Sequence, residues 1–216
     1  MKSEEVKKYY RILEKKRSYL LLKRVFDLLA SIILTIILLP IMIAICIIIK
    51  TTSPGKIFFL QERVTKDGKK FKIFKFRTMK ENSEKLSGVT LENDSRITKC
   101  GKWLRKLRLD ELPQVFNLLK GELSLVGVRP ESVKYVEKYS PEMKATLLMP
   151  AGITSETSIL YKDESKLLKN SVNPDEVYVN EILPQKMKHN LEYIEKCNLW
   201  YDIKVIFKTV IAVIKK

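Results

Sequence analysis

The residues best suited to chemistry lie between Arg96 and Pro130, in RITKCGKWLRKLRLDELPQVFNLLKGELSLVGVRP. Two carboxylates, Asp110 and Glu111, stand side by side among Arg96, Arg105, Arg108 and Arg129. Guanidinium groups clamp phosphate oxygens bidentately. Carboxylates hold Mg2+ or attack phosphorus. The set therefore suits a reaction on phosphoryl groups. Two plainer readings compete with it. An Asp ahead of a helix is commonly just a cap, and clustered arginines can form a solvated basic face toward lipid or nucleic acid.

The elements that must position these groups follow from local pattern. After Asp110, the residues Leu112, Val115, Phe116 and Leu119 recur at i, i+3, i+4 and i+7, the spacing of one buried helical face. Pro113 falls in the first turn, where a missing N–H costs nothing, and Gly121 supplies the stop. The spacing predicts a helix with Asp110 at or beside its N-cap, where the dipole favours ionised carboxylates. A second helix is expected over Lys99–Leu107, and a tight turn over Gly127-x-Arg129-Pro130. Upstream, KIFFLQ (56–61) and FKIFKFR (71–77) have strand character, with the turn signal Asp67-Gly68 between them, so a β-hairpin is expected. Residues 81–95 are polar and turn-rich, an expected exposed loop.

Composition bounds the partner. The chain has 216 residues, enough for one domain or at most two, and 45% of them are hydrophobic, which excludes wholesale disorder. A lone histidine, His189, excludes a multi-histidine zinc site. Cys46, Cys100 and Cys197 are far apart and form no C-x-x-C pair, as expected of three unpaired thiols in a reducing compartment. A net charge of +16 calls for an anionic partner: nucleic acid, phospholipid headgroups or a phosphorylated substrate.

From Leu28 to Ile49 there are 22 residues without a charge. Such a run is long enough to cross a hydrocarbon core of ~30 Å. It is too long for a signal peptide, and no A-x-A-like site follows it. Residues 1–24 carry nine basic side chains, and Lys50, Lys56 and Arg63 follow the run. Positive charge beside an apolar helix marks the cytoplasmic side, so a simple span puts one basic flank on the wrong side. Pro40, near the middle, removes a hydrogen bond and bends the chain. A re-entrant hairpin with both ends cytoplasmic is expected, with a kinked full span as the alternative. At the C-terminus, Leu199, Ile203, Ile206, Phe207, Val210, Ile211 and Ile214 form one stripe opposite Lys204, Lys208 and Lys215. That pattern suits a helix lying in the headgroup layer or one packed on the core.

The segments KFRTM (75–79), DSRITKCGKWLRKLRLDELPQVFNLLKGELSLVGVRP (94–130) and AGIT (151–154) resemble those of the bacterial sugar transferases. The likeness is to their small monotopic form, the phosphoglycosyl transferases, and runs from about Lys23 to the C-terminus. The resemblance implies that Asp110 attacks the β-phosphorus of a UDP-sugar, releasing UMP, and that undecaprenyl phosphate then takes the phosphosugar from the carboxylate. It implies Asp110 and Glu111 as the catalytic pair and as the ligands of Mg2+. Arg105 and Arg129 match phosphate-binding arginines, Lys75 matches a lysine of the active-site strand, and Arg77 and Arg96 are further candidates for binding phosphate. Leu39-Pro40 stands where the family's re-entrant helix breaks at a Ser-Pro pair. Val128 replaces the first proline of a Pro-Arg-Pro motif, Pro150-Ala151 replaces a basic residue and proline, and Asn190 stands where many members have Asp.

The expected fold is α+β and mainly helical: a basic N-terminal segment (1–24), a re-entrant membrane helix bent near Pro40 (25–50), a catalytic domain with a short β-hairpin (51–198) and a basic amphipathic C-terminal helix (199–216). The expected setting is the bacterial cytoplasmic (inner) membrane, with the catalytic domain on its cytoplasmic face. The expected partners are a UDP-sugar, undecaprenyl phosphate and membrane phospholipid, with no nucleic acid. Two other classes stay in view: a catalytically inactive membrane scaffold of glycan assembly, and a membrane-anchored nucleic-acid binder. The latter predicts strongly salt-dependent DNA or RNA affinity and no role for Asp110 and Glu111.

Overall fold

The computed structural model describes residues 3–80, 94–162 and 173–214. Of the loop expected over 81–95, only Asp94 and Ser95 fall within these. Lys2 and Lys215 lie outside the described residues. The described chain is mostly helical, with two separate two-stranded sheets, in keeping with an α+β class dominated by helix.

Helix α1 (Glu4–Lys15) starts at Ser3, whose hydroxyl accepts from the Val6 N–H, and carries Glu4 and Glu5 in its first turn. It buries Val6, Tyr9 and Leu13 against the body of the protein, so the basic N-terminal segment is folded onto the core. Helix α2 (Arg17–Thr52) follows and stays helical through Pro40. It is the one helix among the described residues long and apolar enough to cross a membrane. Its buried residues, Lys23, Asp27, Ser31, Met42, Ile45 and Ile49, share one face. Ile33, Ile36, Ile37, Ile43 and Ile47 point out and are each more than half exposed.

The hairpin forms where the sequence places it. Strands β1 (Phe58–Val64) and β2 (Lys70–Phe76) pair antiparallel, Phe58 opposite Phe76 and Glu62 opposite Lys72. In the turn between them, Asp67 and Gly68 both have positive φ, 59° and 73°, as a tight hairpin turn demands. Helix α3 (Lys99–Lys106) is capped by Thr98, which accepts from the Gly101 N–H at 2.9 Å. Helix α4 (Gln114–Lys120) ends at Gly121, in the left-handed region at φ 77°.

The start of α4 corrects one expectation. Asp110 is not at its N-cap; Pro113 holds that position, and Asp110 lies in a 3-10 turn, Leu109–Glu111. The chain reverses between α3 and α4 through Arg108, which adopts a left-handed conformation, φ 58°. The resulting tight turn delays the helix. The seven-residue α4 therefore supplies no cap geometry at Asp110, and its ionisation must be explained by its surroundings.

A second sheet, absent from the sequence reading, lies at the centre. Strands β3 (Leu123–Val126) and β4 (Ala151–Thr154) pair in parallel, Leu123 opposite Ala151 and Val126 opposite Thr154. Parallel strands need a long crossover, and residues 127–150 provide it, with the short helix α5 (Val133–Val136) inside. Beyond β4 come α6 (Glu156–Leu160), α7 (Pro174–Val177) and α8 (Leu183–Lys196). A π-turn at Tyr178–Ile182 joins the last two; Pro184 lacks an N–H and crowds the preceding turn, which widens it. The final helix, α9 (Leu199–Ile214), buries Asp202 and Val205. Trp200 (82% exposed), Phe207, Val210 and Ile211 face outward. Both readings of this helix thus have substance: one side packs, and an apolar face remains.

The largest core joins α1, α8, α9 and β3 through Val6, Tyr9, Leu13, Val126, Met149, Ile194 and Val205. A second core joins the C-terminal half of α2 to β2, α3 and α4 through Met42, Ile45, Ile49, Phe76, Leu104 and Val115. Where β3 leaves the sheet, a Cβ on Gly152 would lie 2.2 Å from the Gly127 nitrogen and 2.6 Å from its Cα. Both neighbours are backbone and cannot yield without moving a strand. Gly152→Ala is expected to lower stability by about 2 kcal/mol or more, read as the denaturant midpoint in detergent; an unchanged midpoint would show that the strands separate freely.

Candidate active site

Glu111 accepts a hydrogen bond and ion pair from Lys75 Nζ of β2 at 2.9 Å. Asp110 adjoins it in the 3-10 turn. Their environments push the two carboxyls apart. Burial, then the adjacent Glu111 charge, raises Asp110 to about 6, against the pull of Lys75 and Arg105. Glu111 is half-buried, which opposes its charge, yet Lys75 and Arg129 hold it down at about 2. Near neutral pH both are ionised, and Asp110 is the more basic. Adjacent carboxylates separated in this way mark different roles.

Arg129 is presented by a turn tied to the parallel sheet. Gly127 N–H donates to the Thr154 carbonyl at 3.0 Å, and Gly152 N–H to the Val128 carbonyl at 2.8 Å. The Arg129 Nη1 donates to Ser158 Oγ at 3.4 Å. Val128, the departure from Pro-Arg-Pro, is buried and bridges Ala151, so it keeps the turn packed without the ring. Arg105 projects from the last turn of α3, and Arg108 from the reversal.

Glu111, Arg105, Arg108 and Arg129 line a cleft of about 600 Å³. Its polar wall carries Arg63, Arg105, Arg108, Glu111, Arg129, Glu131 and Lys186. Its apolar wall carries Leu34 and Leu38 of α2, Ile153 and Ile159, and Ala212 and Val213 of α9. A charged site therefore opens directly onto hydrocarbon side chains.

Asp110 and Lys75 adjoin Glu111 without themselves lining the cleft, and two further sequence candidates stand apart from it. Arg77 is buried and donates to the carbonyls of Ser53 at 2.7 Å and Pro54 at 2.6 Å, tying the end of α2 to β2. Arg96 is paired with Asp94, its Nε donating to both carboxylate oxygens at 2.8 and 2.9 Å. That pair holds Asp94 down at about 2. Neither arginine lines the cleft. Asn190 is buried and accepts from Thr157 Oγ1 at 2.8 Å, a packing contact.

A metal would have few protein ligands here. Among the described residues no group of three or more His, Cys, Asp or Glu side chains converges. A pair of carboxylates nonetheless suits Mg2+, which keeps waters and takes substrate phosphates as its remaining ligands.

The sequence model for bacterial sugar transferases matches residues 18–216. The chain belongs to the bacterial sugar transferase family. Relatives of this family member include the UDP-N-acetylgalactosamine-undecaprenyl-phosphate N-acetylgalactosaminephosphotransferase of Aeromonas hydrophila, 36% identical over 196 residues, covering 89% of this chain and 43% of the relative. The UDP-glucose:undecaprenyl-phosphate glucose-1-phosphate transferase of Escherichia coli (strain K12) is 36% identical over 196 residues, covering 88% of this chain and 39% of the relative. The undecaprenyl-phosphate galactose phosphotransferase of Salmonella typhimurium is 34% identical over 217 residues, covering 93% and 42%. The chain thus spans about two-fifths of the length of these curated relatives. Their names differ in the sugar.

In this sugar transferase family member, the sequence reading overlooked Arg63, Glu131, Tyr178 and Lys186. They come from β1, the Arg129 turn, the π-turn and α8, and no local pattern links them. The alternation of FFLQERV is the only hint, since it turns Arg63 to the same side of β1 as Gln61.

Proposed function

We propose that this chain transfers a sugar 1-phosphate from a UDP-sugar to undecaprenyl phosphate at the cytoplasmic membrane, through a phosphosugar held on Asp110. This would be the first membrane step of a bacterial surface glycan. One observation carries the reading: the cleft joins Glu111, the neighbour of Asp110 in the 3-10 turn, and several arginines to an apolar wall built from α2 and α9. A nucleotide sugar needs the first of these and a lipid phosphate needs both. The names of the relatives support the same pair of substrates.

In the first step an Asp110 oxygen attacks the β-phosphorus. An O–P bond forms, the bond to the α-phosphate oxygen breaks, and its electron pair leaves with UMP. In the second, a phosphate oxygen of the lipid attacks the same phosphorus and the Asp110–P bond breaks, regenerating the carboxylate. Arg105 and Arg129 hold the charge that spreads over the phosphoryl oxygens. Lys75 keeps Glu111 ionised beside the nucleophile. Asp110 and Glu111 would hold Mg2+, which offsets diphosphate charge. The decisive assay is UMP release from a panel of UDP-sugars in detergent with undecaprenyl phosphate and Mg2+. No release with any of them would sink the reading.

We propose further that α2 is re-entrant, with both ends on the cytoplasmic face. Both its ends are held by the same body. At its start, Lys23 pairs with Asp202 at 2.7 Å, and Arg24 donates to the carbonyls of Leu118 and Leu119. Just past its end, Arg77 holds Ser53 and Pro54. These ends would stand about 45 Å apart across a bilayer were the helix a straight span. The outward apolar face of α9 would lie in the same headgroup layer. Single cysteines introduced by Ser18→Cys and Ser53→Cys, with the native cysteines removed, are expected to resist an impermeant thiol reagent in intact cells and to label once the cells are opened. Labelling of the Ser18→Cys protein alone in intact cells would mean that α2 spans.

A further inference from the structure

We propose that Arg63 and Arg129 together seat the nucleotide phosphate of the donor, making the Arg63 end of the cleft the nucleotide subsite. This rests on the function proposed above. Arg63 comes from β1, far in sequence from the carboxylates. Its guanidinium donates to Gln61 Oε1 at 2.8 Å and to the Pro130 carbonyl at 3.4 Å. Pro130 directly follows Arg129, so the Arg63 guanidinium rests against the turn that carries Arg129, and both side chains line the same cleft. The next residue of that turn, Glu131, is 5% exposed and accepts from Lys186 Nζ and from the Tyr178 hydroxyl, both at 2.8 Å. Lys186 Nζ also donates to the Tyr178 hydroxyl at 2.6 Å.

A buried ion pair contributes little to stability. On the wall of a cleft it has a different use: it fixes the surrounding donors before a ligand arrives. Burial disfavours the Arg63 charge, Glu131 supports it and Arg129 opposes it. A phosphate placed between the two guanidiniums would relieve that repulsion and accept from both forks.

The lining gives the cleft a direction. Glu111 and Arg105 enter from the segment that carries Asp110, whereas Arg63 is tied to the turn that carries Arg129. Attack at the β-phosphorus is in line, with the leaving oxygen opposite the attacking one. The α-phosphate therefore belongs away from Asp110, on the Arg129–Arg63 side. The apolar wall of Leu34, Leu38, Ala212 and Val213 suits an isoprenoid chain. That leaves the polar end for the nucleoside, where the rings of Tyr135 and Tyr178 stand 4.4 Å apart.

The test is UMP binding to the full chain in detergent, by calorimetry, together with donor and acceptor KM. Arg63→Gln is expected to weaken UMP binding by about tenfold or more and to raise the donor KM in proportion, leaving the acceptor KM unchanged. Arg105→Gln is expected to act mainly on kcat, with less effect on UMP. Arg63→Lys keeps a cation beside Glu131 and decides the matter should the Gln variant not fold; lacking the fork, it is expected to weaken UMP several-fold. UMP bound by the Arg63 variants as tightly as by the unaltered protein would overturn this inference while leaving the functional reading intact. An unaltered chain that releases no UMP from any UDP-sugar would overturn both.

Discussion

Asp110→Asn is expected to abolish sugar-phosphate transfer and, at the same time, to make the protein harder to unfold. An amide cannot serve as the anionic nucleophile, and losing such a group costs several powers of ten in rate. The stability gain follows from the raised carboxyl. A group lifted from 3.8 to about 6 by burial and by Glu111 ionises in the folded state at a cost of up to about 3 kcal/mol, less where water still reaches it. Because the folded value lies above the unfolded one, the wild-type protein loses this stability as pH rises from about 4 to about 6. Above that window the Asn variant is spared the loss. Thermal unfolding in detergent without divalent cations is expected to give a higher midpoint for Asp110→Asn at pH 7.5 and equal midpoints near pH 4. Normal turnover by the Asn variant would remove Asp110 from the chemistry, and equal midpoints at pH 7.5 would remove the strain.

Lys23→Met is expected to be the most damaging single change outside the cleft. Lys23 and Asp202 are 4% and 7% exposed at their side chains, and their charged atoms are 2.7 Å apart. Asp202 also accepts from the hydroxyls of Tyr19 at 2.9 Å and Tyr193 at 2.8 Å. Removing the lysine leaves an uncompensated carboxylate inside the junction of α2 and α9. Breaking one half of such a pair costs about 3–5 kcal/mol. Adding Asp202→Asn should recover most of that loss, because the amide oxygen still accepts from a tyrosine and carries no charge. If Lys23→Met unfolds at the same denaturant concentration as wild type, the pair contributes nothing to holding α2.

The sequence revealed the parts of the site that are contiguous and the parts of the fold that repeat a local rule. Asp67-Gly68 announced its hairpin because only a positive-φ turn closes two strands so tightly. The carboxylates and Arg105 and Arg129 were visible because one segment carries them all. The parallel sheet was not: LSLV and AGIT are too short to show a period, and their pairing is a tertiary event. The surroundings of Arg77 are not legible in KFRTM; its guanidinium donates to two carbonyls just past the end of α2. Asp110 was placed one turn too close to α4, because the left-handed Arg108 cannot be read from composition. Arg63, Glu131 and Lys186 were missed for a deeper reason. A cleft wall assembled from three distant segments leaves no trace in any one of them.

One small contact connects the long apolar helix with the carboxylate turn. The C-terminal carbonyls of α4 are held by Arg24 of α2, while its N-terminal end follows directly on the carboxylate turn. A helix of seven residues is a stiff strut about 10 Å long, and packed interiors transmit displacement with little loss. With α2 in the bilayer as proposed, any rocking of it, from a thicker leaflet or a change in lateral pressure, would be delivered through this strut to the position of Asp110. The thickness of the surrounding lipid would then be a variable in the proposed geometry of attack, and turnover measured in bilayers of graded acyl length would register it.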